Sequence, residues 1–266
     1  MKITIIGGGN MGGAIARGLT QGSLVKAGDI TVVDFSQACL DNLKAFNKDI
    51  NVSKEIAGTL SDADVVVFAV KPWQIGDVLN DVKYDLNYDK QLLISIAAGV
   101  PFELLNILLT KDDFDQTPVL FRVMPNTAIA VRESMTFIAS YNAEPQHESL
   151  VADLFNELGK VIVISEEQMA AATALGSCGT AFAMRYIRAA SEGGVELGFY
   201  PETAKNIVLQ TVKGAAELLL STSNHPESEI DKVTTPGGIT IKGLNAMESG
   251  GFTSSVIQGL KAAKMN

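Results

Sequence analysis

Lys2-Ile3-Thr4-Ile5-Ile6-Gly7-Gly8-Gly9-Asn10-Met11-Gly12 is the stretch whose reading decides the fold. A β-like run, Lys2–Ile6, passes directly into G-x-G-x-x-G at Gly7, Gly9 and Gly12, and a helical stretch, Met11–Gln21, follows. The glycine pattern alone carries little, but between a strand and a helix it has a mechanism. Gly7 permits a tight turn, Gly9 lets the backbone approach a pyrophosphate, and Gly12 lets the helix pack close to the strand. The helix start at Asn10 and Met11 then offers free N–H groups and a positive dipole end to phosphates. The next β-like run, Ile30–Val33, ends at Asp34, about twenty residues beyond Gly12, where an acid accepts hydrogen bonds from a ribose 2′-hydroxyl. A carboxylate there repels a 2′-phosphate: two unit charges 4 Å apart cost about 4 kcal/mol at an effective dielectric constant of about 20. Charge alone therefore favours NADH over NADPH. The same carboxylate is also able to cap the following helix, as is Ser36.

Outward from this motif the pattern repeats. Further β-like runs are Val65–Val70, Leu92–Ile96, Leu120–Met124 and Thr136–Ser140, with helical stretches such as Ser36–Phe46 between runs. Several runs are apolar throughout, as strands are when helices cover both faces of a parallel sheet. The β-α alternation predicts an α/β fold built on a doubly wound, Rossmann-type parallel sheet. After Val161–Ile164 the pattern becomes all-helical: Glu166–Leu175, Thr180–Leu197, Pro201–Leu220, Ile239–Ser249 and Thr253–Lys264. Pro201 stands where a first helical turn tolerates proline. The division is placed at 1–162 for a dinucleotide-binding domain and 163–266 for a helical domain.

Composition narrows the function. Thirty acidic against 21 basic side chains give a formal charge of −9, which argues against a nucleic-acid footprint. No apolar run approaches the roughly 20 residues that span a bilayer, and Ile3–Ile6 is too short for a secretory core, so no membrane role or export is expected. Two cysteines, Cys39 and Cys178, point to reduced thiols in a cytoplasmic protein. The two histidines, His147 and His225, are not spaced as metal ligands, and no metal is expected.

Other strand ends carry polar or charged groups at the edge where ligands bind in open α/β sheets. Val65–Val70 runs into Lys71-Pro72, where Pro72 stops the strand and places Lys71 at that edge. Leu120–Met124 runs into Pro125-Asn126-Thr127, whose side chains are able to orient a nicotinamide amide or a substrate, or to shape a turn. In the helical part, Thr234-Thr235-Pro236-Gly237-Gly238-Ile239-Thr240-Ile241 leads into a helix. The exposed amides of Gly237 and Gly238 would make a pocket for a small carboxylate, with Thr240 adding a hydroxyl that donates or accepts; the same residues also suit a plain turn and helix cap.

Taken together, GGGNMG at Gly7–Gly12, AVKP at Ala69–Pro72, SIAAGV at Ser95–Val100, MPNT at Met124–Thr127, TPGGIT at Thr235–Thr240 and Glu248–Phe252 resemble the pyrroline-5-carboxylate reductases over almost the whole chain. The resemblance implies cofactor contacts at Gly7, Gly9, Asn10, Met11, Gly12, Ala69, Val70, Lys71, Pro72 and Asn126, with NADPH or NADH as cofactor. It implies substrate contacts at Thr235, Gly237, Gly238, Thr240 and Asn126, with Thr240 hydrogen-bonded to the imine nitrogen of 1-pyrroline-5-carboxylate on its way to L-proline. It further implies an all-helical C-terminal dimerisation domain, a homodimer and a higher ring such as a decamer. The chain departs from the family pattern at Gly176-Ser177-Cys178-Gly179-Thr180, where S-G-S-x-P is usual, at Ala128, where proline is usual, and at Asp34, where many NADPH-using members carry small or basic residues, so that the resemblance leans towards NADPH and Asp34 towards NADH. Two rival readings are a β-hydroxyacid dehydrogenase-like enzyme and a nucleotide-sensing protein without catalysis. The first would place a lysine in the helix Thr180–Leu197, which has Arg185 and Arg188 but no lysine.

Overall fold

The structure, a computed structural model, describes residues 1–111 and 116–264. The strands are β1 (Ile3–Ile6), β2 (Ile30–Val33), β3 (Asn51–Ser53), β4 (Val65–Phe68), β5 (Leu92–Ser95), β6 (Val119–Met124), β7 (Ser134–Tyr141) and β8 (Gly159–Val163). They form one sheet in the order β3-β2-β1-β4-β5-β6-β7-β8. The helices between them are α1 (Asn10–Leu19), α2 (Gln37–Phe46), α3 (Ile75–Val82), α4 (Phe102–Leu109) and α5 (Pro145–Asn156). The pairs from β3 to β6 are parallel, β6 and β7 are antiparallel, and β7 and β8 are parallel to each other. The reversal has a local cause. Residues 125–133 hold only a 3-10 turn, Thr127–Val131, and a parallel return would need a crossover of a dozen residues or more.

Side chains alternate across the sheet, which explains why the strands read as continuous apolar runs. Ile3, Ile5, Val65, Val67, Ile94 and Phe121 face one core with Ile15 and Leu19 of α1 and Leu154 and Phe155 of α5. Ile6, Val66, Phe68, Leu93 and Leu120 face the other with Leu79 of α3 and Leu105 of α4. Burying each such side chain contributes about 1.5–3 kcal/mol, which favours a sheet covered on both faces. β1 lies between β2 and β4, in register Ile6 to Val33 and Ile6 to Phe68. The chain winds outward from β1 through β2 to β3, then returns to β4 on the other side. That reversal opens a crevice at the carboxyl ends of β1 and β4.

The sequence pattern turns helical at 162/163, whereas the compact units are Met1–Ser177 and Cys178–Ala263. Residues 166–177 have a helical pattern but are seated on the sheet. Glu166 pairs with Arg122 of β6 at 2.6 Å and also accepts the Phe102 N–H at 2.7 Å. Met169, Thr173 and Ala174 are buried. In place of one helix, this stretch has a 3-10 turn, a four-residue helix α6 (Met169–Ala172) and a π-helical segment, Thr173–Cys178.

The second unit holds α7 (Gly179–Glu196), α8 (Pro201–Thr222), α9 (Pro226–Lys232), α10 (Ile239–Ser249) and α11 (Phe252–Ala263). Pro201 occupies the first turn of α8 as expected. α7 and α8 approach closely where Gly194 meets Ala204; a Cβ on Gly194 would lie 2.9 Å from that of Ala204. Tyr186 and Phe252 pack edge to face with ring centroids 6.4 Å apart. Ala204 is the only buried side chain of this unit among the described residues, while Phe182, Met184, Leu218, Met247, Val256 and Ile257 stay exposed. Helices with so little interior of their own need a further surface to cover them. Sedimentation velocity at micromolar concentration is expected to show a species of at least two chains, with a melting temperature that rises with protein concentration. A monodisperse single chain with a concentration-independent melt would contradict this.

Candidate functional site

The glycine loop sits where the crevice opens. Gly7 has φ +105°, and its amide donates to the Val33 carbonyl at 2.7 Å. A Cβ on Gly7 would lie 2.6 Å from the Ala69 carbonyl oxygen. A Cβ on Gly12 would run into the Gly7 carbonyl oxygen and lie 2.9 Å from the Ala69 side chain. The loop is thus clamped between the ends of β2 and β4, and both positions exclude any side chain. At Gly9 a Cβ would meet nothing within 4 Å. Gly9 is the N-cap of α1, and no side chain caps that helix. The Asn10 and Met11 amides at this helix start therefore have no side-chain acceptor, beside a Gly9 with open space around it. This arrangement fits a dinucleotide pyrophosphate.

Asp34 follows β2 immediately. Its Oδ2 accepts the Gly8 N–H at 2.6 Å and its Oδ1 accepts the Ser36 N–H at 2.8 Å. Ser36 is the N-cap of α2 but makes no side-chain cap hydrogen bond, so the carboxylate takes part of that task. On β4 the strand ends at Phe68, two residues short of the expected Val70. The Ala69 amide still donates to the Ile6 carbonyl at 2.8 Å. Lys71 is exposed and precedes the 3-10 turn Pro72–Gln74, from which α3 departs. Ser95, at the end of β5, is buried and its Oγ accepts the Ala97 N–H at 3.3 Å.

Asn126 is buried at the end of β6. Its Oδ1 accepts the Ala128 N–H at 2.9 Å, its Nδ2 donates to the Gly176 carbonyl at 3.2 Å, and its own amide donates to Ser134 Oγ at 3.1 Å. Of the two roles the sequence leaves open for this residue, the geometry displays the shaping of the turn, with one Nδ2 hydrogen left for a ligand. Ser177 Oγ donates to the Pro125 carbonyl at 3.1 Å, and Gly176 is packed against the Phe137 ring so closely that a Cβ would enter it. The π-helical segment is thereby fastened to the Met124–Thr127 loop. Sequence periodicity gave no sign of this; the one local signal was the pair of small residues Gly176 and Ser177.

The second glycine turn lies in the helical unit. Pro236 and Gly237, the latter at φ +72°, form the corner of a type II turn closed by the Gly238 N–H donating to the Thr235 carbonyl at 2.9 Å. The Gly238 amide, expected to face a carboxylate, is therefore turned inward. Gly238 is the N-cap of α10, with no side-chain cap. The N–H groups at Ile239, Thr240 and Ile241 thus start the helix without a side-chain acceptor at the N-cap. A Cβ on Gly238 would lie 2.6 Å from Thr235 Oγ1. Thr235, Gly237 and Thr240 are all exposed. No helix is long and apolar enough to cross a membrane among the described residues.

A glycine turn at the switch point of a parallel sheet, followed by a helical unit with its own uncapped helix start, places the chain in the two-part α/β class whose first part has the dinucleotide-binding fold. Comparison with known proteins narrows the class. Residues 2–99 match the NADP oxidoreductase coenzyme F420-dependent family, and residues 166–266 match the pyrroline-5-carboxylate reductase dimerisation family. The chain is 40% identical to pyrroline-5-carboxylate reductase 1 of Dictyostelium discoideum over 97% of its own length, which is 48% of that relative. It is 35% identical to the pyrroline-5-carboxylate reductase of Methanosarcina acetivorans, over 99% of this chain and 97% of the relative. The Plasmodium falciparum pyrroline carboxylate reductase, solved with NADP bound, superposes with a TM-score of 0.87 at 30% identity, covering 99% of this chain and 95% of that one. The chain belongs to the pyrroline-5-carboxylate reductase family.

Two substitutions test the geometry. Gly12→Ala forces a Cβ against the Gly7 carbonyl and is expected to cost about 1–3 kcal/mol of stability and most of the nucleotide affinity, read by thermal melts and calorimetry. Asn126→Ala removes the acceptor of the Ala128 N–H and the side-chain link from Asn126 Nδ2 to Gly176, and is expected to lower stability by about 1–3 kcal/mol; an unchanged melt would contradict the anchoring role.

Proposed function

We propose that this protein reduces the C=N bond of 1-pyrroline-5-carboxylate with a nicotinamide dinucleotide, NADH or NADPH, to give L-proline, the last step of proline biosynthesis. The observation that carries this reading is the pair of glycine turns, each opening a helix without a side-chain cap, on a chain similar to pyrroline-5-carboxylate reductases over almost its whole length. The dinucleotide supplies the hydride. Residues 1–162 serve as the dinucleotide-binding domain and 163–266 as the substrate-binding and dimerisation domain. Gly7, Gly9, Asn10, Met11 and Gly12 hold the pyrophosphate through main-chain N–H groups. Asp34 holds the adenosine ribose. Ala69, Val70, Lys71 and Pro72 border the crevice at the end of β4, and Asn126 sets the Met124–Thr127 loop beside it.

For the substrate, Thr235, Gly237, Gly238 and Thr240 form the acid-binding turn. Because the Gly238 amide is engaged with Thr235, the carboxylate is held by the first-turn amides of α10, while Gly237 and Gly238 keep that approach free of side chains. Thr240 Oγ1 hydrogen-bonds the imine nitrogen. Thr234–Ile241 contains no His, Asp or Glu, so the substrate enters protonated or takes its proton from water. What the chain contributes is placement of two reactants, which removes much of the entropic barrier. The exposed apolar faces of the helical unit support a homodimer, and the family likeness supports a higher ring such as a decamer. Two free cysteines support a cytoplasmic compartment.

Adding 1-pyrroline-5-carboxylate is expected to oxidise a reduced nicotinamide dinucleotide, followed by the loss of the reduced cofactor's absorbance. No oxidation with either cofactor would overturn the reading. Thr240→Val is expected to lower kcat/KM by roughly tenfold, the loss of one hydrogen bond, with nucleotide affinity unchanged. Equal activity would remove Thr240 from the chemistry.

A further inference from the structure

The adenosine end of the crevice carries a feature that the family likeness does not supply. We propose that Asp34 makes this enzyme select NADH and turn away NADPH, because its carboxylate is fixed in place as part of the phosphate-binding loop. The proposal rests on the reading of Gly7–Gly12 as a pyrophosphate site.

The argument begins with mobility. A surface carboxylate beside an arriving phosphate ordinarily rotates away or finds a cation. Asp34 does neither. Oδ2 takes the Gly8 N–H at 2.6 Å and Oδ1 the Ser36 N–H at 2.8 Å, so any rotation about its side chain breaks two charge-assisted hydrogen bonds. Its backbone is held as well, since the Asp34 N–H donates to the Ser53 carbonyl of β3 at 3.1 Å. Packing adds a third restraint: a Cβ on Gly8 would lie 3.3 Å from Asp34 Cβ and 3.5 Å from Oδ2, so the loop lies directly against this side chain. A carboxylate has about four acceptor positions, and two remain for ribose hydroxyls.

Charge completes the case. Asp34 has no ion pair among the described residues; both partners are main-chain amides. The residues that follow it, Phe35-Ser36-Gln37, bring no cation. A 2′-phosphate is ordinarily met by an arginine at this place. The neighbouring strand end offers one exposed lysine, Lys54, directly after β3. One ammonium does no more than offset the fixed carboxylate before a phosphate ester of charge about −1.5 to −2 arrives; the other cation near the loop, Arg17, sits over α1, with Nη1 3.2 Å from where a Cβ on Gly13 would stand. An unphosphorylated ribose, by contrast, brings two neutral hydroxyl donors to the free acceptor positions.

The test is binding rather than turnover. Calorimetry on the intact protein would measure dissociation constants for NADH and NADPH, and for ADP-ribose with and without a 2′-phosphate. The wild type is expected to bind the forms without the 2′-phosphate at least roughly tenfold more tightly. Asp34→Ser is expected to shift that ratio towards the phosphorylated forms by roughly tenfold or more, while weakening both because the Gly8 amide loses its acceptor. Lys54→Ala is expected to leave the ratio unchanged. Equal or tighter wild-type binding of NADPH would overturn the proposal, as would an Asp34→Ser ratio equal to that of the wild type, or an NADPH preference that Lys54→Ala abolishes. Should the serine variant fail to fold, the wild-type ratio alone still decides. Failure to bind any of the four compounds would instead overturn the reading of the glycine loop, and this proposal with it.

Discussion

The contact on which the site depends is between two stretches of backbone. At the carboxyl end of the sheet, the chain leaving β1 must pass over the end of β4 with no side chain between them. Gly7 meets the Ala69 carbonyl, and Gly12 meets the Gly7 carbonyl. Because α1 is drawn down so closely, its first turn starts at the carboxyl end of the sheet, with no side chain capping its amides. Close packing here leaves no room for even one methyl group, and that intolerance places a partial positive charge where a pyrophosphate can reach it.

The same physics explains how a chain of net charge −9 can handle anionic ligands. Main-chain dipoles at helix starts are local and need no excess of lysine or arginine. Both glycine turns end in a helix whose N-cap is glycine, Gly9 for α1 and Gly238 for α10, and neither helix has a side-chain cap. A serine or aspartate at either position would satisfy the amides from within and stabilise the helix, at the loss of donors open to a ligand. Elsewhere the chain satisfies itself thoroughly. Asn126 spends most of its hydrogen-bonding capacity on holding two segments together, and Asp34 engages both of its oxygens.

Much of this was legible in the sequence, for identifiable reasons. Strands covered on both faces by helices leave long apolar runs, and six strands were recognisable from such runs. β3 was not: Asn51-Val52-Ser53 is a polar edge strand of three residues whose hydrogen bonds to β2 do not depend on side-chain character. The reversal of β7 and β8 follows from the shortness of the connection after β6, a matter of chain length that apolar patterning does not carry. The broken helix at 166–177 escaped because periodicity reports which face is apolar, not whether the backbone keeps one helical pitch. In the site, residue identities were legible and hydrogen-bond ownership was not. Thr235-Pro236-Gly237-Gly238 announces a turn, but only coordinates show that closing it consumes the Gly238 amide. Asp34 announces a ribose acid, and only coordinates show that it also belongs to the glycine loop.

The claim at the centre of the account is that uncapped main-chain amides at two helix starts hold the two ligands. A crystal structure of the protein with a nicotinamide dinucleotide and L-proline bound tests it most directly. The account predicts pyrophosphate oxygens within hydrogen-bonding distance of the first-turn amides of α1, and the proline carboxylate on those of α10. Pyrophosphate held by lysine or arginine side chains away from Gly7–Gly12, or a carboxylate bound away from the Thr235–Thr240 turn, would contradict it.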